Sequence, residues 1–185
     1  MDTEQIILGS GDLYMTAYDG TDLPEDATLE VESNRVGAIQ GGATLEYKPT
    51  EYEPKDDTGK VYERFVTSEE TTLKSGVMTW NAETLKGLTA RSTYTDDPTK
   101  KVRTLKIGGI GARPMAKNVV RFVHTKADGH KFRITIVGTA SNGFSLAFAP
   151  DKETVIDAEF KALAHGADNT QVIISEEYGD PEVGG

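Results

Sequence analysis

The chain contains no cysteine, which excludes disulfides, thiolate metal sites and thiol nucleophiles and fits assembly in a reducing cytoplasm. Aromatic residues are sparse at 8%, with a single tryptophan, Trp80. Glycan-binding modules usually display exposed aromatic platforms, whereas Trp80, at a strand end just before a helix cap, reads as a core plug. No stretch approaches the roughly 20 apolar residues of a membrane-spanning helix. The N-terminal apolar run is only Ile6-Ile7-Leu8 behind the acidic Met1-Asp2-Thr3-Glu4-Gln5, so no signal or transit peptide is expected. Positive charge is also short: 20 Lys and Arg stand against 30 Asp and Glu, a formal net charge of -10. Such a balance repels phosphate backbones and argues against a nucleic-acid binder.

What is present is polar but foldable. Hydrophobic residues make up 37% and charged residues 27% of the 185 positions, enough strand-length apolar runs for one core. The expected organisation is one domain over residues 1–178 and a Gly- and Pro-rich tail over 179–185, without internal repeats. Period-two alternation bounded by Gly, Asp, Asn and Pro recurs along the chain and predicts a mainly β protein. Ala27, Leu29 and Val31 alternate with Thr28 and Glu30, and Leu45 and Tyr47 alternate with Thr44, Glu46 and Lys48; both segments read as half-buried strands. Between Glu51 and Tyr62 the polar run with Pro54, Asp56, Asp57, Gly59 and Lys60 predicts a long hairpin with a projecting tip.

A second hairpin is expected over Lys117 to Gly138, with Asp128-Gly129 as a two-residue type I′ turn. That register sets Val123 against Ile134, Thr125 against Phe132 and Arg121 against Ile136 on a core-facing side. A third hairpin is expected with Thr154 to Leu163 running out and Gln171 to Glu176 returning. In its first strand Ile156, Ala158 and Phe160 alternate with Asp157, Glu159 and Lys161. One short helix is expected from an Asn81 N-cap through Ala82 to Arg91, with Leu85 and Leu88 facing the sheet.

None of the candidate chemistry assembles into a reactive site. Gly108-Gly109-Ile110-Gly111 follows a strand, yet no Lys-Ser pair follows and Pro114 interrupts any helix that would lend its N-terminus to a phosphate; a flexible connection is the better reading. His124 and His130 share one hairpin without a third ligand. The carboxylate runs Glu51, Glu53, Asp56 and Asp57, and Asp151, Glu153, Asp157 and Glu159, read as solvated faces. No enzyme activity, cofactor or metal is expected.

Several collinear stretches carry a resemblance. Ile7 to Tyr14 (ILGSGDLY), Leu23 to Glu32 (LPEDATLEVE) and Ile39 to Pro49 (IQGGATLEYKP) resemble the N-terminal half of major tail tube proteins from phages and prophages of Gram-positive bacteria. The likeness continues through Lys74 to Asn81 (KSGVMTWN), Arg103 to Gly109 (RTLKIGG), Arg121 to Thr125 (RFVHT) and Phe148 to Thr154 (FAPDKET). The resemblance implies a β-sandwich or barrel with one short flanking α-helix. Its inner sheet would join a hexameric ring barrel, with rings stacked into the tube of a long non-contractile tail through which double-stranded DNA leaves. It also implies, as partners, further copies of the chain and the tape measure, tail terminator and distal tail proteins. No membrane takes part, and the protein would be made in the host cytoplasm and end in the virion tail.

Duplex DNA carries about one negative charge per 1.7 Å, so an anionic lumen would let it slide where a cationic one would hold it. Candidate ring-stacking residues on the projecting segment are Pro49, Glu51, Tyr52, Pro54, Asp56, Asp57, Lys60 and Tyr62. The terminal segment from Tyr178 to Gly185 is expected to order on stacking. Candidate lumen residues are Asp157 and Glu159, whose strand has one apolar and one charged face. The alternative is a free β-sandwich binding module, a capsid decoration or glycan-binding domain.

Overall fold

Alternating side chains produce nine antiparallel strands in the computed structural model, which describes residues 10–148, 150–151 and 153–179. In chain order these are β1 (Asp12–Ala17), helix α1 (Asp26–Leu29), a 3-10 turn (Glu32–Asn34), β2 (Ile39–Tyr52), β3 (Phe65–Val77), helix α2 (Ala82–Gly87), β4 (Ser92–Asp97), β5 (Val102–Ile107), β6 (Asn118–Thr125), β7 (Lys131–Ala140), β8 (Ile156–Ala162) and β9 (Val172–Glu176). The main sheet runs β1-β6-β7-β8-β3-β2 with β9 also on β7, and β4-β5 forms a separate two-stranded sheet. The protein is thus mainly β, with open antiparallel sheets.

The sheet buries its main core on one face. Leu13, Val120, Phe122 and Ile136 meet Leu73, Val77, Ile156 and Phe160, and Leu85 from α2 and Leu88 at its C-cap reach the same cluster. Each such fully buried side chain contributes about 1.5–3 kcal/mol. A smaller cluster of Leu29, Val119 and Val137, flanked by Tyr14, Tyr18 and Leu23, covers the opposite face of β6 and β7. β6 is therefore buried on both faces, from Asn118 to His124.

Three expectations about pairing need correction. The β6–β7 turn is longer than two residues: Lys126 N–H donates to His130 O at 2.8 Å, Gly129 N–H donates to Lys126 O at 3.0 Å, and Gly129 takes φ +91 while Asp128 does not enter the left-handed region. A type I′ turn needs φ > 0 at both central residues. Val123 consequently opposes Arg133, His124 opposes Phe132 and Arg121 opposes Thr135. The one-residue shift exchanges the faces, so Val120 and Phe122 enter the main core and Arg121 faces the other way. β9 does not return along β8 either. β7 pairs with β9 through Phe132 to Ile136 and with β8 through Gly138 to Ala140, so β8 and β9 follow one another along a single edge. The third correction is α1, which stands where Ala27 to Val31 were expected to be a strand.

Charge holds α1 in place. Asp26 and Glu30, four apart on one helical face, meet two arginines rising from β6 and β7. Glu30 accepts from Arg133 Nε at 2.5 Å, Lys131 Nζ at 2.7 Å and Arg121 Nη1 at 3.2 Å, and Arg121 Nη1 also lies 2.5 Å from Asp26. Arg133 reaches Glu177 at 2.6 Å, and Arg121 Nε donates to Thr135 Oγ1 at 2.8 Å. Burial pushes the Glu30 carboxyl up, but the hydrogen bonds from Arg133 and Lys131 outweigh it and the net shift is downward. Such a cluster costs desolvation and is retained only when every charge is met.

Helix α2 matches its expected start. Asn81 accepts from the backbone N–H of Glu83 and Thr84 at 2.8 and 2.9 Å, the usual N-cap arrangement. It ends at Gly87 rather than Arg91, where the Thr89 hydroxyl donates to Lys86 O at 2.7 Å. Gly87 sits against β1: a Cβ there would fall 1.8 Å from Met15 Cε. Trp80 is half-buried against the main core and meets Phe148 edge-on at 6.0 Å.

Candidate assembly surfaces

β2 and β3 form the expected long hairpin, and its outer part stands clear of the body. From Tyr62 to Glu70 every residue is exposed, and burial begins only at Thr71. Tyr52, Tyr62, Phe65 and Val66 are 60%, 69%, 47% and 57% exposed. Large apolar side chains gathered on one projection are costly in water unless something covers them.

The tip is ordered by Asp56. Its carboxylate accepts from Thr58 N–H at 2.9 Å, Thr58 Oγ1 at 2.6 Å and Lys60 N–H at 2.9 Å, and from the Tyr62 hydroxyl at 2.9 Å. The Thr58 hydroxyl leads these bonds in holding the Asp56 carboxyl down to about 2. Lys60 Nζ lies 5.1 Å from the Tyr62 ring centre, within cation–π range. Of the candidate ring-stacking residues, Asp56, Lys60 and Tyr62 are thus brought together at the tip, with Asp57 exposed beside them and Pro54 half-buried at its base. Pro49, Glu51 and Tyr52 lie lower, on β2, opposite Glu69, Val66 and Phe65.

β2 ends the sheet order, and no described strand pairs its outer side over Ile39–Tyr52. Pro49 fits such a position, since proline is tolerated on edge strands and not within a ladder. A register shift between Gln40 and Ala43, with Gly41 and Gly42 at φ +80 and +70, bends the strand near its start. The opposite edge, β1, is partly covered: Tyr14 bridges Arg35, and Val36 N–H donates to Leu13 O at 2.8 Å.

The candidate lumen residues lie on one face of β8, as alternation requires. Gly76 opposes Asp157, and Lys74 opposes Glu159. The same face carries side chains that sequence reading did not join to them. Lys74 Nζ lies 3.4 Å from Glu159 and 3.6 Å from Glu46, Lys48 reaches Glu46 at 2.6 Å, and Lys161 reaches Glu70 at 3.3 Å. Glu159 also accepts from Ser141 Oγ at 2.8 Å, which leads the lowering of its pKa. Asp157 remains exposed. The face is a lattice of alternating charges with its lysines already engaged. The even-numbered Thr44, Glu46 and Lys48 were readable as one strand face, but their meeting with β8 depends on a strand order that no local signal reveals.

The histidines are used locally. His124 is buried, with Nδ1 2.7 Å from Ser10 O, and His130 has Nε2 2.6 Å from Gly179 O and Nδ1 3.2 Å from Asp128. The backbone carbonyl of Gly179 and then Asp128 push the His130 pKa up. No group of three or more His, Asp or Glu residues that could hold a metal occurs among the described residues. The segment Gly108 to Gly111 is a loop, with φ of +101, +94 and +82 at its three glycines, and Arg113 Nη1 donates to Gly108 O at 2.7 Å. No described helix is long and apolar enough to cross a membrane. Beyond Gly179 the expected tail lies outside the described residues, as does Ile6-Ile7-Leu8. No protein-family model matches the chain, and no curated protein matches it.

Proposed function

We propose that this chain is the repeating subunit of a phage tail tube. Copies join laterally through sheet edges into rings, hexameric by the resemblance of its motifs, and axially through the projecting hairpin. The observation that carries the reading is the β2 edge of 14 residues, which no described strand pairs, continued into an exposed arm with Tyr52, Tyr62 and Phe65. An open edge of that length invites pairing with another chain, and closure of copies into a barrel removes it. Pro49 and the register shift near Gly41 and Gly42 interrupt the edge, which confines such pairing to the stretch between them.

In the tube, the charged face of β8, β3 and β2 lines the channel. Lys48, Lys74 and Lys161 are tied to Glu46, Glu159 and Glu70, so few of the described cations on this face are free to grip a phosphate backbone, and Asp157, without an ion pair among the described residues, adds negative charge. Double-stranded DNA then passes without being held. The inner sheets of neighbouring copies form the sandwich-like wall, and heterologous contacts of this kind continue axially until another protein stops them. The tape measure, tail terminator and distal tail proteins would set the length and close the ends. Synthesis and assembly take place in the host cytoplasm, and the product sits in the virion tail.

Sedimentation velocity over a hundredfold concentration range tests the reading. Species growing from single subunits to rings and longer assemblies support it. One boundary at subunit mass throughout sinks it and favours a monomeric binding module.

A further inference from the structure

A groove of about 780 Å³ lies between the C-terminal end of β1, the Glu32 to Gly37 segment and α2, and Asn118, Trp80, Met15 and Lys86 are among its lining residues. Three features mark it as a place prepared for a chain segment. Asn118 is 8% exposed, yet its Nδ2 has no hydrogen-bond partner among the described residues, although buried donors are nearly always paired. The backbone of Ala17 is turned outward. Leu13 O bonds Val36 on the outer side and Tyr18 N–H bonds Lys117 O on the β6 side, and successive residues of a strand direct their groups to opposite sides. Ala17, in step with Leu13, therefore offers its N–H and C=O to the groove. Lys86, finally, has no carboxylate within ion-pair range among the described residues, whereas Arg35 and Arg103 in the same lining are paired with Asp12 at 2.8 Å and Asp96 at 3.4 Å.

We propose that the groove receives residues 1–9 of a second copy as an added strand beside Ala17, with Asp2 and Glu4 toward Lys86, the Ile6-Ile7-Leu8 run against Met15 and Trp80, and a backbone carbonyl accepting from Asn118. The proposal rests on the reading of the chain as a polymerising subunit. Its support is where the chain leaves the sheet. Ser10 O is fixed to His124, near the β6–β7 turn, while the groove opens at Ala17, which pairs with Asn118 at the far end of β1. Between them the outer side of β1 is already taken at Leu13 by Val36, so a copy's own segment cannot pair along that edge on its way to the groove. Nine residues reach about 30 Å when extended. The other end, Asp180 to Gly185, carries Pro181, Gly184 and Gly185 and no apolar run, so it is the poorer strand.

A synthetic peptide of residues Met1 to Gly9 contains no tryptophan, and Trp80 is the only one in the chain. Titrated into the full chain at a concentration where sedimentation shows single subunits, the peptide should produce a saturable change in Trp80 emission. Binding should weaken about tenfold in Lys86→Glu, the scale of one charge-assisted contact, and vanish for a peptide with Ile6, Ile7 and Leu8 replaced by serine. No saturable change, equal binding by the serine peptide, or an unaltered affinity in Lys86→Glu overturns the proposal. Tubes formed by a chain lacking residues 2–9 overturn the docking and leave the tube reading intact. Saturable peptide binding to a chain that never assembles keeps the docking site and removes the tube.

Discussion

Replacing Glu30 with glutamine tests how the α1 segment is held. The side chains of Glu30, Arg121 and Arg133 are 6%, 8% and 8% exposed, so their contacts are poorly screened. Glutamine retains an oxygen for Arg133 but loses the charge that Arg133, Lys131 and Arg121 share. Breaking one member of a buried ion cluster costs about 3–5 kcal/mol. Asp26, Glu177 and Thr135 still bond the two arginines, which brings the expected loss to about 2 kcal/mol, the scale of charge-assisted hydrogen bonds. With a urea slope of about 2 kcal/mol per molar, the midpoint falls by about 1 M. The Glu30 carboxyl is held below its ordinary value in the folded protein, so its contribution is complete above the unfolded carboxylate pKa and is lost as pH falls through the lowered folded value. The gap between wild type and Glu30→Gln therefore closes in acid. Leu29→Ala, which empties the small cluster under the same helix, serves as a control at about 3 kcal/mol. A large loss in Leu29→Ala with under about 0.5 kcal/mol in Glu30→Gln at neutral pH would show that packing alone holds α1 and refute the charge argument.

Further outcomes follow from the assembly surfaces. Asp56→Asn weakens the acceptor shared by Thr58, Lys60 and Tyr62; in wild type the Asp56 carboxyl should titrate near 2, and the Thr58 amide resonance should follow the same proton. A transition at the ordinary value of 3.8 would mean the tip is not held this way. Lys74→Glu sets like charges against Glu46 and Glu159 and should lower stability by about 1 kcal/mol at low salt, less at high salt; denaturation at two ionic strengths checks this. Replacing Tyr52 and Phe65 together with serine should leave the thermal midpoint of the subunit within a few degrees, because both are exposed, while abolishing long assemblies in sedimentation.

Much of the fold is readable where one force dominates. The alternation in β8 and the start of α2 are local, set by Ile156, Ala158 and Phe160 and by the Asn81 cap. The α1 segment is not, because Ala27-Thr28-Leu29-Glu30-Val31 fits a period of two as well as it fits a helix. The decision came from Arg121 and Arg133, distant in sequence, whose charges Asp26 and Glu30 meet only when four residues make about one turn. The β6–β7 register turned on whether Asp128 joins Gly129 at positive φ, and a dipeptide that suits either turn cannot say. Asp157 and Glu159 were legible as a charged face, but Lys74 and Glu46 were not, since their place beside β8 depends on long-range strand order. The arm was the most legible part of the candidate site: Pro54 and Asp56 through Gly59 carry their turn chemistry in sequence.

Electron microscopy of the concentrated, negatively stained protein decides whether copies stack into a tube. Stacked rings of regular axial repeat with a stain-filled channel are expected, disappearing when residues 53–64 are replaced by a short Asn-Gly turn that leaves the sheet body intact. A uniform field of separate subunits, at concentrations and ionic strengths where the chain is folded, would contradict the tube reading.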